Sequence, residues 1–129
     1  MIDKLAWIEV QQKQILSTKS YGKEKYYIPG GKRELGESDA AALCREIREE
    51  LSINLREETL RFVGTFQAQA PGHPLGILVN MTCYTSLYDG TLKAANEIDE
   101  IKWLTYLDKE FVSDVDKKIF DFLHAKGLL

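Results

Sequence analysis

From Ser38 to Leu51 the chain contains no glycine or proline and consists of strong helix formers. Ala40, Leu43, Ile47 and Leu51 recur at helical spacing, with Cys44 at their edge, so this helix has one apolar stripe to bury. Ser38 stands where an N-cap is needed. A single helix cannot bury such a stripe by itself, and its flanks read as strands. Leu5 to Val10 is apolar and strand-like, and after the polar turn Gln11-Gln12-Lys13 the chain returns through Gln14 to Thr18 as a hairpin. Tyr26 to Ile28 is a short aromatic strand stopped by Pro29-Gly30-Gly31. Leu60 to Ala70 reads as a strand ended by Pro71-Gly72-His73-Pro74, and Gly76 to Tyr88 as a long strand closed by Asp89-Gly90. Ile101 to Tyr106 is the last strand. A second amphipathic helix, Ser113 to Lys126, carries Val115, Ile119, Phe122 and Leu123 on one face and is ended by Gly127. This order predicts an α/β fold, a mixed β-sheet with a helix packed on each side, as one domain over residues 1–129.

The first helix also carries a cost. Glu46, Glu49 and Glu50 share one face, where like charges repel by roughly 0.2–0.5 kcal/mol per pair. Glu49 and Glu50 lie near the C-terminal end, which the helix dipole makes unfavourable for negative charge. A hard divalent cation offsets that cost: Mg²⁺ prefers carboxylate oxygens, keeps several waters and uses such a face without enclosing it. The bland alternative is a solvated acidic face partly compensated by Arg45 and Arg48. The loop before the helix favours the cation. Gly30, Gly31 and Gly36 surround Lys32-Arg33-Glu34-Leu35, and glycines let backbone groups come close to a ligand.

The formal net charge of -3 argues against binding long nucleic acid or an anionic membrane surface, yet allows a nucleotide bridged by a metal ion. No signal-like segment is visible and no apolar run approaches the length of a bilayer span. Cys44 and Cys83 form no CxxC pattern and read as thiols of a reducing, cytoplasmic protein.

The spacing from Gly31 to Ile53 resembles the Nudix (MutT-like) hydrolase signature. That signature is Gly, five residues, Glu, seven residues, then Arg-Glu-apolar-any-Glu-Glu-any-Gly-apolar. The chain reads Gly31, Glu37, then Arg45-Glu46-Ile47-Arg48-Glu49-Glu50-Leu51-Ser52-Ile53, and departs only where Ser52 replaces the glycine. The family glycine ends the helix in a left-handed turn, where serine costs about 1 kcal/mol. The resemblance implies the Nudix α/β/α sandwich and hydrolysis of a diphosphate bond. It further implies that Glu49 and Glu50 bind catalytic Mg²⁺, for which Mn²⁺ can substitute. Glu46 becomes a further ligand or the base that deprotonates water, the Gly31 carbonyl another metal-facing oxygen, and Arg45 with Glu37 the pair that orients the cluster. A distant acid before the last strand is also implied, Glu97 or Glu100, with Glu97 preferred.

The substrate implied is a nucleoside diphosphate linked to another group; a nucleoside triphosphate or a modified nucleotide is favoured, since no extra domain is present to hold a larger partner. Lys32 and Arg33 are candidates for phosphate contact. Phe66, Trp7, Tyr27 and Tyr84 are candidates for stacking on a base, Asn80, Gln67 and Gln69 for reading its edge, and His73 for reaching a substrate from its loop. An exposed strand edge permits a homodimer. Two alternatives use the same fold: a nucleotide sensor without catalysis, disfavoured by the full acidic set, and an isoprenoid diphosphate isomerase, which needs a catalytic cysteine that Cys44 is poorly placed to supply.

Overall fold

The computed structural model describes residues 1–129. Its central four-stranded sheet has β1 (Ile2–Trp7) between β4 (Gly30–Gly31) and β7 (Leu78–Thr85), with β6 (Arg61–Gln69) at the far edge. β1 and β7 are parallel and the other pairs antiparallel, so the sheet is mixed. β2 (Val10–Gln11) and β3 (Gln14–Ser20) form the expected hairpin around Gln12 and Lys13, both at positive φ, and β3 pairs with β9 (Ile98–Leu104). A small ladder joins β5 (Asn54–Leu55) to β8 (Tyr88–Asp89). The helices are α1 (Asp39–Leu51) and α2 (Asp114–Ala125), and neither is long and apolar enough to cross a membrane.

Alternation along β1 assigns its residues to two cores. Leu5 and Trp7 pack with Leu16, Leu43, Ile47 and Leu51 on the α1 side. Ala6 and Ile8 pack with Ile15, Met81, Ile119 and Phe120 on the α2 side. A strand buried on both faces, with a helix on each, is the predicted α/β/α layering. Each fully buried leucine or isoleucine of α1 contributes about 1.5–3 kcal/mol of burial, enough to hold an acidic helix against the sheet.

Several boundaries differ from expectation. Tyr26–Ile28 is not a ladder strand: it makes single bridges to Thr18 and Val112, and the pairing with β1 passes to Gly30 and Gly31. At Gly30 any Cβ would run into the Leu5 carbonyl, so only glycine allows this approach. The long strand expected to end at Tyr88 breaks after Thr85, freeing Tyr88–Asp89 to pair with β5. The last strand begins at Ile98, because its backbone continues to pair with β3 through an irregularity at Lys19/Ser20. On α1 the buried stripe includes Ala42, with Ala40 only half-buried.

Candidate active site

The helix that carries the acids starts at Ser38, whose hydroxyl accepts from Ala41 N at 3.1 Å, and ends at Ser52. Ser52 is left-handed, with φ 63°, as the departure from glycine requires. Its Oγ donates to the Lys93 carbonyl at 3.1 Å, which offsets part of the conformational cost. The segment after β8 closes over this helix end. Lys93 N donates to Leu51 O, Ala95 N to Glu50 O, and Asn96 Nδ2 to Glu49 O, capping carbonyls the helix leaves unpaired. These bonds deliver the next residue, Glu97, to the carboxylates of α1.

A cavity of about 420 Å³ opens beside them. Its acidic end is lined by Glu46, Glu50 and Glu97 together with Gly30, Gly31 and Lys32. Its apolar end lies between β1, β7 and the start of α2. Glu50 belongs to the buried set of α1 at 6% exposure, and its Oε1 accepts from Gly30 N at 3.3 Å. Burial, then the charge of Glu46, pushes its carboxyl up to about 8. Burial also raises Glu46, against the opposing pull of Arg45. A Cβ at Gly31 would meet the Glu46 carboxylate, which packs directly against this glycine.

Arg45 braces the cluster. Its Nε and Nη2 donate to the two Glu37 oxygens at 2.7 and 2.8 Å, Nη1 donates to Glu46 Oε1 at 3.0 Å, and Nη2 also to Lys32 O at 3.1 Å. The Arg45 hydrogen bonds hold Glu37 down at about 2. One guanidinium thereby ties the loop, the helix and an acidic side chain together, a task suited to its rigid fork.

The other expected residues divide. Glu49 lies outside the cavity, half-exposed on a shallow outer groove with Arg48 and Asn96, and its Oε2 is 3.5 Å from Arg45 Nη1. Glu100 does not reach the cavity; it takes a hydrogen bond from Tyr26 at 2.7 Å and pairs with Lys19 at 3.4 Å. Arg33 does not face the cavity either, since its guanidinium pairs with Asp39, which also accepts from Tyr84 Oη. Phe66 stacks edge-on against Phe122, Asn80 bonds Gln67 and Asp3, and Gln69 bonds its own loop, so none of these lines the cavity. Trp7 is fully buried with its indole N–H on Ser86. Tyr27 and His73 do line the cavity, and neither Cys44 nor Cys83 does.

Sequence reasoning missed Lys4, Lys23, Ser113 and Asp116 in or behind this cavity. A signal existed for two of them. Lys4 alternates with Ile2, Ala6 and Ile8 on one strand face, and Asp116 lies on the same helical stripe as Ile119, Phe120 and Leu123.

No three carboxyl, imidazole or thiol groups converge closely enough to enclose an ion. The donor set is instead an open row of hard oxygens under mutual repulsion, which fits a cation that retains most of its water.

A glycine strand feeding a carboxylate-bearing helix, inside an α/β/α sandwich, is the arrangement that the resemblance to diphosphate-cleaving hydrolases implied. The NUDIX domain family model matches residues 5–122, and the chain belongs to that family. Its fold is similar to the solution structure of the E. coli ORF135 protein, with 25% identity and a TM-score of 0.75 over 97% of this chain and 89% of that one. The MutT protein from Methanosarcina mazei Go1 superposes with a TM-score of 0.77 at 17% identity, covering 98% of this chain and 94% of that one. The E. coli dihydroneopterin triphosphate pyrophosphohydrolase has a TM-score of 0.72 at 17% identity, covering 93% and 92% respectively. No curated protein matches the sequence.

Proposed function

We propose that this chain hydrolyses a diphosphate bond in a small nucleotide, with a nucleoside triphosphate or modified nucleotide as substrate and Mg²⁺ (or Mn²⁺) as cofactor. The observation that carries the reading is the polarity of one cavity: Glu46, Glu50 and Glu97 at one end and an apolar slot at the other. A phosphate chain suits the first end and a nucleoside the second.

When bound, the cation would be held by Glu46, Glu50 and Glu97, with Glu49 at the rim and the Gly31 carbonyl as a further oxygen. The cation supplies an acidified water and neutralises charge on the phosphoryl oxygens. Glu46 Oε1 is occupied by Arg45, which leaves Oε2, without a hydrogen bond, either to meet the cation or to take the proton of the attacking water. Arg45 keeps that carboxyl in register, and Glu37 keeps Arg45 in place. Lys32, exposed at the cavity, contacts the phosphates in preference to Arg33, whose charge is committed to Asp39.

The test is a product assay with Mg²⁺ or Mn²⁺ over nucleoside triphosphates, normal and oxidised, nucleoside diphosphate sugars, dinucleoside polyphosphates and capped RNA. Release of pyrophosphate or a nucleoside monophosphate from one class is expected. No turnover of any member overturns the reading.

A further inference from the structure

Glu97 stands beside two other acids with nothing on its own side chain to keep it there. It lines the cavity with Glu46 and Glu50, close enough for its charge to raise both. Its carboxylate forms no ion pair and no hydrogen bond, and like charges at this range repel. A side chain free to choose would turn outward. The position of Glu97 is therefore set by its backbone.

That backbone is fixed on both sides. After Glu97 comes Ile98, which is buried and opens β9, and Tyr21 N donates to the Glu97 carbonyl at 3.0 Å. Before it stands Asn96, left-handed at φ 53°. Asparagine enters this region more readily than most side chains, though still at some cost. The Asn96 Nδ2 donates to the Glu49 carbonyl at 3.1 Å, while Ala95 N reaches the Glu50 carbonyl at 3.0 Å and Lys93 N the Leu51 carbonyl at 2.9 Å. All three bonds end on the helix that carries the acids, at carbonyls its last turn leaves unpaired. The segment from Lys93 to Glu97 is thus registered against Glu46 and Glu50 without using a single carboxylate. Of the three bonds, the one next to Glu97 is the one a side chain makes.

We propose that Asn96 is a positioning residue for the cation: its bond to the Glu49 carbonyl fixes the turn that keeps Glu97 at the cavity. Folding, rather than ion binding, then brings the three acids together, and the ion meets a set already arranged. The inference rests on reading Glu46, Glu50 and Glu97 as the oxygens that meet the cation. A residue that merely capped α1 would affect stability and leave cation affinity as it was.

The test is Mn²⁺ binding to the full chain without substrate, followed by the electron paramagnetic resonance signal of the free ion. Wild type, Asn96→Gly, Glu97→Gln and the double variant form a cycle. Glycine adopts the same φ without strain and drops only the side-chain donor. Asn96→Gly is expected to bind Mn²⁺ about tenfold more weakly, the lower end of what losing an outer contact to a metal site does. Glu97→Gln is expected to weaken binding as well, and adding Asn96→Gly to it to change affinity by less than about twofold. Thermal melts of all four proteins should stay cooperative. Unchanged affinity in Asn96→Gly overturns the inference. So does an equal loss in both backgrounds, because Asn96 would then act through the helix and not through Glu97. Turnover is read separately. Hydrolysis with unchanged Mn²⁺ affinity in Asn96→Gly sinks this inference alone, and the expected coupling without hydrolysis sinks the catalytic reading alone.

Discussion

Asp116→Asn should stabilise the protein in alkaline solution. A carboxyl held at about 7 in the fold, against 3.8 when unfolded, makes folding progressively less favourable as pH rises. Between those values the folded state keeps a proton that the unfolded state has released, so stability falls by up to about 1.4 kcal/mol for each pH step and then levels off. The full cost is a ceiling of about 4 kcal/mol above pH 7. Asparagine escapes it. Its carbonyl still accepts from Ile28 N, but its amide hydrogens lie where Oδ1 already lacks a partner, a pH-independent penalty of about 1–3 kcal/mol. The variant is thus expected to be less stable than wild type near pH 4 and more stable by about 1–3 kcal/mol at pH 8. Urea unfolding of both proteins from pH 4 to 9, with EDTA present, measures the difference directly, and all other titrating groups cancel in it. A difference that stays flat across this range would refute the argument, because it would mean that Asp116 titrates normally in the fold.

Three further outcomes follow from the acidic end. Glu50→Gln should lower kcat by roughly 10²–10⁴-fold. With EDTA at pH 7 the same change should raise stability by up to about 3 kcal/mol, because burial, then the charge of Glu46, pushes the carboxyl it replaces up to about 8; an unfolding midpoint that fell would count against that burial cost. Arg45→Lys loses the two-pronged grip on Glu37 and the contact with Glu46, and should reduce kcat by about 10- to 100-fold with a smaller change in KM. Ser52→Gly should stabilise by up to about 1 kcal/mol, whereas Ser52→Ala, which keeps the strained φ and drops the bond to Lys93, should destabilise, as thermal melts would reveal.

The chain's local pattern determined a good deal. The α1 stripe, the carboxylate spacing, the glycine pair before it and the alternation of β1 are periodicities of neighbouring residues, and the layered fold follows from burying them. The bracing role of Arg45 toward Glu37 and the left-handed turn at Ser52 were implied by the resemblance to the family signature, and each depends on residues within two or three helical turns. The choice between Glu97 and Glu100 was not. It depends on carbonyls at the end of α1 recruiting Lys93, Ala95 and Asn96 from a segment some forty positions away, which swings Glu97 inward while Tyr26 and Lys19 hold Glu100 outside. The same limit applies to Arg33, Asn80 and Phe66, whose partners come from other elements. The glycine–helix unit from Gly31 to Ile53 carries its chemistry in sequence because the helix itself sets the distances between its acids. The other end of the cavity is lined by Lys4, Ser113 and Val115, far apart along the chain and brought together only when β1 and α2 pack around it.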